Sequence, residues 1–266
     1  FMAEQQMLAM MGHPNIATLI EAGITEDGRP FFAMELVKGS PITKYCDERR
    51  LSIQERLEVF VDVCLAVNHA HQKGAIHRDL KPSNILVFDD ASGPIAKVID
   101  FGISQATKKL ELQYTKVVTA RGEIIGTPAY MAPEQLSHDN MNVTPMVDVF
   151  ALGVIGFEML LGRLPRTMED VPLPQLIAQL AQSEPSRAGL LDTSLRGDID
   201  TILGKALETT PHRRYESAAA LASEAPQRRA PGQEPAPEGA VRPGRAAGRA
   251  GRSAHWTRAS QSTTRM

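Results

Sequence analysis

The chain has 266 residues, 42% of them hydrophobic and 23% charged, and its formal net charge at pH 7 is −2. This composition is typical of a soluble globular protein, and it excludes a collagen, a wholly disordered chain and a polytopic membrane protein. The nearly balanced charge argues against a nucleic-acid partner. The two cysteines, Cys46 and Cys64, are too few for a disulfide scaffold or a structural zinc site. Because so few cysteines indicate a reducing compartment, we expect a cytoplasmic protein.

The first 37 residues are predicted to contain a short helix and two strands. Residues 4–11 have helical spacing, and the His-Pro pair that follows ends the helix because the residue before proline is pushed out of the helical backbone region. Residues 16–22 and 30–37 are predicted as strands joined by a Glu-Asp-Gly turn.

A long helix and a hairpin come next. Ser52 and Glu55 have the spacing of a capping box, and the apolar residues behind them follow a helical period until Gly74. The apolar runs 85–88 and 96–99 flank a polar turn, which predicts a β-hairpin.

The second half of the chain is predicted to be helical. Apolar residues follow a helical period at 147–161, 173–181, 199–207 and 217–223. Strands early and helices late indicate an α+β fold. No apolar run approaches the roughly 20 residues that cross a bilayer, so we expect no membrane segment in this chain.

The last 42 residues differ in composition from the rest. Residues 225–266 contain eight Arg, five Pro and two Glu but no Lys, Leu, Ile or Phe. A segment with so little apolar surface cannot offset the entropy lost on ordering, so we expect a disordered tail. A basic arm for nucleic acid or membrane is the functional alternative, but we favour an unselected extension, such as a frameshift product.

The strongest chemical signal is the motif His-Arg-Asp-Leu-Lys-Pro-Ser-Asn at residues 77–84. Phosphoryl transfer to a hydroxyl needs a carboxylate beside that hydroxyl, a cation on the moving phosphoryl group and an oxygen ligand for Mg²⁺. Asp79, Lys81 and Asn84 supply these three groups within one short loop.

Two further motifs follow in the chain. Asp-Phe-Gly at residues 100–102 comes directly after a predicted strand, where a carboxylate is well placed to hold a hard cation against polyphosphate oxygens. Gly-Thr-Pro-Ala-Tyr-Met-Ala-Pro-Glu occupies residues 126–134.

In this order and spacing, the motifs resemble those of bacterial eukaryotic-like serine/threonine protein kinases, from residue 4 to about residue 223. The resemblance implies a protein-kinase-like α+β fold with a mostly helical large lobe, expected at residues 38–224. Residues 1–37 are expected to be the remnant of a small lobe whose first strands and glycine-rich loop are missing. The resemblance also implies ATP and Mg²⁺ as cofactors and protein Ser/Thr hydroxyls as substrates.

The resemblance assigns the catalytic roles. Asp79 corresponds to the base that orients the substrate hydroxyl and accepts its proton, and Lys81 to the partner of the γ-phosphate. In having a lysine at this position, the sequence resembles serine/threonine kinases rather than tyrosine kinases. Asn84 and Asp100 correspond to the Mg²⁺ ligands.

The resemblance also assigns residues to the nucleotide. Met34 falls at the gatekeeper position, and Glu35 and Val37 fall on the hinge whose backbone binds adenine. Leu86 is expected to pack under the adenine ring. Glu4 corresponds to the helix glutamate that pairs with the ATP-binding lysine, and that lysine would precede residue 1.

Another set of residues is expected around the activation and substrate loops. Arg78 resembles the arginine that marks kinases whose activation loop is ordered by a phosphate. Thr115 and Thr119 are the candidates to carry that phosphate, with ordinary loop threonines as the alternative. Thr127 is expected to hydrogen-bond Asp79.

Three residues are expected to hold the large lobe together. The resemblance pairs Glu134 with Arg214, and it places Asp148 beneath the backbone of the His-Arg-Asp loop.

The leading hypothesis is therefore a serine/threonine protein kinase present as an incomplete domain. Because the glycine-rich loop and the ATP-binding lysine are absent from these residues, we expect weak nucleotide binding and very low turnover. The alternative is a pseudokinase or inert kinase remnant that acts as a protein-binding module. A small-molecule phosphotransferase is disfavoured, because such relatives lack the Gly-Thr-Pro motif at 126–134.

Overall fold

A computed structural model describes six segments of the chain: residues 12–27, 29–91, 93–101, 128–136, 143–166 and 183–225. The helices predicted at 4–11 and 173–181, and the tail after Ala225, lie outside the described residues. The chain divides into two units, Phe1–Arg228 and Arg229–Met266. The domain boundaries expected from the sequence stay predictions.

The first described element is an antiparallel hairpin of β1 (Leu19–Ile24) and β2 (Pro30–Met34), in which Leu19 pairs with Met34. Strand β1 begins three residues later than the sequence predicted. The physical reason is that Ile16 and Ala17 pair with another strand instead, since the Ala17 N–H donates to the Val98 carbonyl at 2.9 Å.

The second sheet has three antiparallel strands in the order β3 (Ser40–Pro41), β4 (Ile85–Asp90) and β5 (Gly93–Val98). Strands β4 and β5 form the hairpin predicted from the sequence, with Ile85 opposite Val98. This hairpin matters for function because its two strands carry the chain directly from Asn84 to Asp100.

Helices form most of the remaining described structure. Their bounds are α1 Ile42–Glu48, α2 Ile53–Gln72, α3 Pro133–Leu136, α4 Met146–Leu161, α5 Ala188–Leu191, α6 Asp198–Ala206 and α7 Ala218–Glu224. The predictions for α2, α4, α6 and α7 are confirmed to within one or two residues at each end, and α1 is a helix that the sequence analysis did not predict.

Helix α2 begins with the predicted capping box. The Ser52 hydroxyl accepts a hydrogen bond from the Glu55 N–H at 3.3 Å, and the Glu55 carboxylate accepts one from the Ser52 N–H at 2.8 Å. After the helix, Gly74 adopts a left-handed φ of 83°, which costs glycine little and turns the chain towards the 77–84 loop.

Helix α4 runs through the centre of the large lobe and is buried on almost every side from Val147 to Phe157. Helices α2, α6 and α7 all contact it. A Cβ atom added at Gly153 would lie 2.9 Å from the Cβ of Ala206 in α6, so this glycine permits a close helix–helix approach. The first turn of α4 carries Asp148 to the underside of the 77–84 loop.

The described residues form an α+β structure with a two-stranded and a three-stranded sheet, and the described elements after β5 are helical. No helix among these residues is long and apolar enough to cross a membrane.

Candidate active site

The 77–84 loop is held from below by a buried carboxylate. Asp148, with 1% of its side chain exposed, accepts hydrogen bonds from the backbone N–H groups of His77 and Arg78, both at 2.8 Å. Each carboxylate oxygen takes one of these bonds, so two successive peptide groups of the loop have fixed positions. The structure thus places Asp148 directly against the backbone of the 77–84 loop.

A third donor reaches the same carboxylate. Nε2 of His71 lies 2.7 Å from Oδ2 of Asp148, and 7% of the His71 side chain is exposed. The sequence analysis left His71 without a role. The two residues lie 77 positions apart, and no local spacing signal connects them.

The catalytic candidates lie close together on this loop. Nζ of Lys81 lies 2.8 Å from Oδ2 of Asp79, and Nδ2 of Asn84 donates to the Asp79 backbone carbonyl at 2.9 Å. About a third of the Asp79 side chain (33%) is exposed, whereas Asn84 is buried. The carboxylate that would meet a substrate therefore faces solvent, and the buried amide fixes the backbone behind it.

Asp100 comes to the same place through strand β5. Ile99 donates its N–H to the Asn84 carbonyl at 2.9 Å, and its own carbonyl lies 2.9 Å from Nε2 of His77. Asp100 follows with a left-handed φ of 63°, and the Phe101 ring packs on His77 at a centroid distance of 4.7 Å. A non-glycine residue in this conformation costs roughly 1–3 kcal/mol, a strain typical of functional sites.

The expected Mg²⁺ ligands, Asn84 and Asp100, supply one amide and one carboxylate oxygen. Nδ2 of Asn84 is used by the loop backbone, which leaves its Oδ1 without a hydrogen-bond donor among the described residues. Asp100 is exposed, and its carboxylate makes no ion pair within the part of the chain that the structure describes. These are the hard oxygen donors that Mg²⁺ prefers. No group of three or more His, Cys, Asp and Glu side chains is arranged for a metal among the described residues.

The residues expected around adenine lie where β2 ends and on β4. Met34 is the last residue of β2 and is half-buried, as are Val37, which follows in the connection to β3, and Leu86 on β4. The N–H of Glu35 donates to the Thr18 carbonyl at 3.0 Å, so this group of the expected hinge is already engaged.

An ion pair that the sequence analysis did not foresee joins Glu35 to Lys97 on β5. The hydrogen bond from Lys97 is the main reason that the pKa of Glu35 lies below its usual range. Lys97 stands opposite Leu86 in the β4–β5 hairpin. The pair therefore attaches the expected hinge to the strand that leads to Asp100.

Glu134 and Arg214 form a bidentate ion pair. Nη1 and Nη2 of Arg214 lie 2.6 and 2.8 Å from the two carboxylate oxygens of Glu134, and Nη1 also donates to the Met146 carbonyl at 2.9 Å. The Arg214 side chain is fully buried. The pair ties α3 to the segment between α6 and α7 that carries Arg214, and the bond to Met146 extends this connection to the start of α4.

The remaining site candidates fall outside the described residues. These are Glu4, Thr115, Thr119 and Thr127.

Sequence comparisons identify relatives of the chain. Residues 1–224 match the family model of the protein kinase domain. Serine/threonine-protein kinase Pkn1 of Myxococcus xanthus is 35% identical over 222 residues, which cover 83% of this chain and 30% of that protein. PknB of Mycobacterium tuberculosis is 32% identical over 225 residues, 83% of this chain and 34% of that protein. PknA of the same species is 34% identical over 253 residues, which cover 93% of this chain and 55% of that protein.

The fold has similar solved structures. The crystal structure of the Mycobacterium tuberculosis PknI kinase domain matches with a TM-score of 0.63 at 23% identity, over 84% of this chain and 75% of that one. A structure of Rad53 in complex with AMP-PNP matches with a TM-score of 0.65 at 24% identity, over 84% of this chain and 53% of that one.

The chain spans about a third of the length of Pkn1 and PknB and about half that of PknA. From the match over residues 1–224, together with the arrangement of Asp79, Lys81, Asn84 and Asp100, the chain belongs to the protein kinase family.

Proposed function

We propose that the chain is the catalytic part of a serine/threonine protein kinase, which transfers the γ-phosphate of ATP to Ser and Thr hydroxyls of proteins. The observation that carries this proposal is the convergence of an exposed carboxylate, a lysine and an amide on one loop: Asp79 lies 2.8 Å from Lys81, and Asn84 holds the Asp79 backbone at 2.9 Å. Asp100 enters beside them from β5.

Asp79 acts on the substrate hydroxyl. Its carboxylate orients the hydroxyl and accepts the proton while the substrate oxygen bonds to the γ-phosphorus and the bond from that phosphorus to ADP breaks. Lys81, whose ammonium group contacts Asp79, carries positive charge to the phosphoryl group in transit. Most of this catalysis is positioning and charge stabilisation, because the phosphoryl transition state needs little covalent help.

Asn84 and Asp100 would hold Mg²⁺ through Oδ1 and the carboxylate. The ion would neutralise charge on the polyphosphate of ATP. The protein supports this role by using the other end of the Asn84 amide to fix the loop, so that the oxygen points away from that bond.

Adenine would lie against the half-buried Met34 and Leu86. With the Glu35 N–H engaged by Thr18, the Glu35 carbonyl and the Val37 backbone are the polar groups of the hinge that would bind it.

Regulation by phosphorylation is part of the proposal. Arg78 would receive a phosphate on Thr115 or Thr119, and Thr127 would hydrogen-bond Asp79 beside the bound substrate. Ser and Thr rather than Tyr are the proposed phosphate acceptors, because Lys81 is the residue type that serine/threonine kinases have at this position.

The test is phosphate transfer from radiolabelled ATP with Mg²⁺ to a generic basic protein, followed by phosphoamino acid analysis. We expect transfer to Ser and Thr that Asp79→Asn abolishes. Asp198→Asn is the matched control, because Asp198 is exposed in the first turn of α6 and its change should leave transfer intact. Absence of transfer by the unaltered chain, or transfer that survives Asp79→Asn, contradicts the proposal; a chain that binds ATP without transfer would instead support the protein-binding alternative.

A further inference from the structure

Gln135 in the short helix α3 connects two parts of the site that are distant in sequence. Its Oε1 accepts a hydrogen bond from the Ala132 N–H at 3.0 Å, and its Nε2 donates to the Arg78 carbonyl at 2.8 Å. The amide has a single possible orientation, because a backbone N–H can only donate and a carbonyl can only accept. The substrate side of the site, where α3 begins, is thus joined to the residue that precedes Asp79.

Arg78 needs such support because its backbone is in the left-handed region, with a φ of 69°. An arginine pays roughly 1–3 kcal/mol for this conformation, so surrounding contacts must hold it there. Asp148 holds the N–H of Arg78 at 2.8 Å and Gln135 holds its carbonyl at 2.8 Å. Both ends of the strained residue are therefore fixed by separate elements, α4 and α3.

The carbonyl of Arg78 belongs to the same planar peptide group as the N–H of Asp79. That N–H lies 3.4 Å from Nδ1 of His77. Gln135 at the oxygen and His77 at the nitrogen thus set the plane of the peptide from which the Asp79 side chain departs. A rotation of this plane would displace the carboxylate from the substrate hydroxyl.

We propose that Gln135 is a positioning residue for Asp79, which couples the start of the substrate-side helix to the orientation of the catalytic carboxylate. This role rests on the proposed kinase function. A purely structural role is the competing explanation, since a glutamine three residues after the N-cap closes half of a capping box for α3. The two explanations depend on different atoms of the amide: capping uses Oε1, whereas positioning uses Nε2.

Gln135→Glu separates them. The carboxylate keeps an acceptor for the Ala132 N–H but places a second acceptor against the Arg78 carbonyl. We expect kcat to fall on the order of 100-fold, as small displacements of catalytic groups do, while KM for ATP stays unchanged. The ratio of variant to wild-type kcat should rise as the pH falls from about 8 to about 5.5, because a protonated carboxyl can donate to the carbonyl again. Gln72→Glu, at the exposed end of α2, is the control for the added charge and should change neither value.

A kcat like that of wild type, or a loss that does not respond to pH, overturns the inference. Hydrogen exchange of the Arg78 and Asp79 amides tests it without any need for activity. We expect faster exchange in Gln135→Glu and in Gln135→Met than in wild type and Gln72→Glu. Unchanged exchange at these amides overturns the inference whether or not the chain transfers phosphate. Faster exchange in a chain that shows no transfer supports the positioning by Gln135 and contradicts the proposed kinase function.

Discussion

Asp148→Asn should destabilise the fold and disorder the catalytic loop, although it changes a side chain that no substrate would touch. In the native chain Asp148 receives three donors, the N–H groups of His77 and Arg78 and Nε2 of His71, at 2.7–2.8 Å. Asparagine has one acceptor oxygen and one NH₂ group. Whichever way it turns, the NH₂ group faces at least one backbone N–H.

The magnitude follows from burial. Only 1% of the Asp148 side chain is exposed, so neither water nor salt compensates the lost acceptor. A hydrogen bond to a charged group contributes about 1.5–3 kcal/mol, and a buried donor left without an acceptor costs about 1–3 kcal/mol. Taking one donor unpaired and the others weakened, we expect the free energy of unfolding to fall by about 3–5 kcal/mol.

Urea denaturation of wild type, Asp148→Asn and the exposed control Asp198→Asn measures this directly. The control should stay within about 0.5 kcal/mol of wild type. Phosphate transfer should fall with the loss of loop order, and the amides of His77 and Arg78 should exchange faster. A decrease below about 1 kcal/mol for Asp148→Asn would refute the reasoning, because the buried bonds would then contribute no more than exposed ones.

Three further changes test other parts of the structure. Gly153→Ala should lower the free energy of unfolding by about 1–3 kcal/mol, since the added Cβ would lie 2.9 Å from α6. Gly204→Ala is the control, because Gly204 is also in a helix but a Cβ added there would have nothing within 4 Å; in the same urea series this variant should be neutral or stabilising. Ser52→Ala should cost about 1 kcal/mol by removing the N-cap of α2, and an unchanged urea midpoint would contradict this. Burial and the hydrogen bond to Asp89 raise the pKa of Tyr45 to about 12. The neutral phenol therefore stabilises the fold at any pH below about 10, which is the pKa of tyrosine in the unfolded chain. This contribution to the free energy of unfolding disappears as the pH rises through about 12. The difference in tyrosinate absorbance between the unaltered chain and Tyr45→Phe should show this titration. Asp89→Asn should lower the pH of its midpoint, and a midpoint near pH 10 in the unaltered chain would contradict the contact between Tyr45 and Asp89.

Local sequence signals predicted the regular elements well where the signal itself was local. The capping box at Ser52 and the helical period behind it predicted α2, because the cap and the buried stripe are both formed within one helix. The β4–β5 hairpin was predicted for the same reason. The start of β1 was predicted too early, since Ile16 and Ala17 have strand-like composition but pair with Val98 in β5.

The order and spacing of the motifs at 77–84, 100–102 and 126–134 determined the family and the chemical groups of the site. These groups lie in short segments, so residue type and spacing are enough to identify them. The tertiary structure decided how they are held: His71 reaches Asp148, Lys97 pairs with Glu35, and Gln135 bonds to the Arg78 carbonyl. Each of these contacts joins residues from different elements, and neither partner carries a local signal of the other. Such pairings depend on how helices and strands pack, and packing is a property of the whole core.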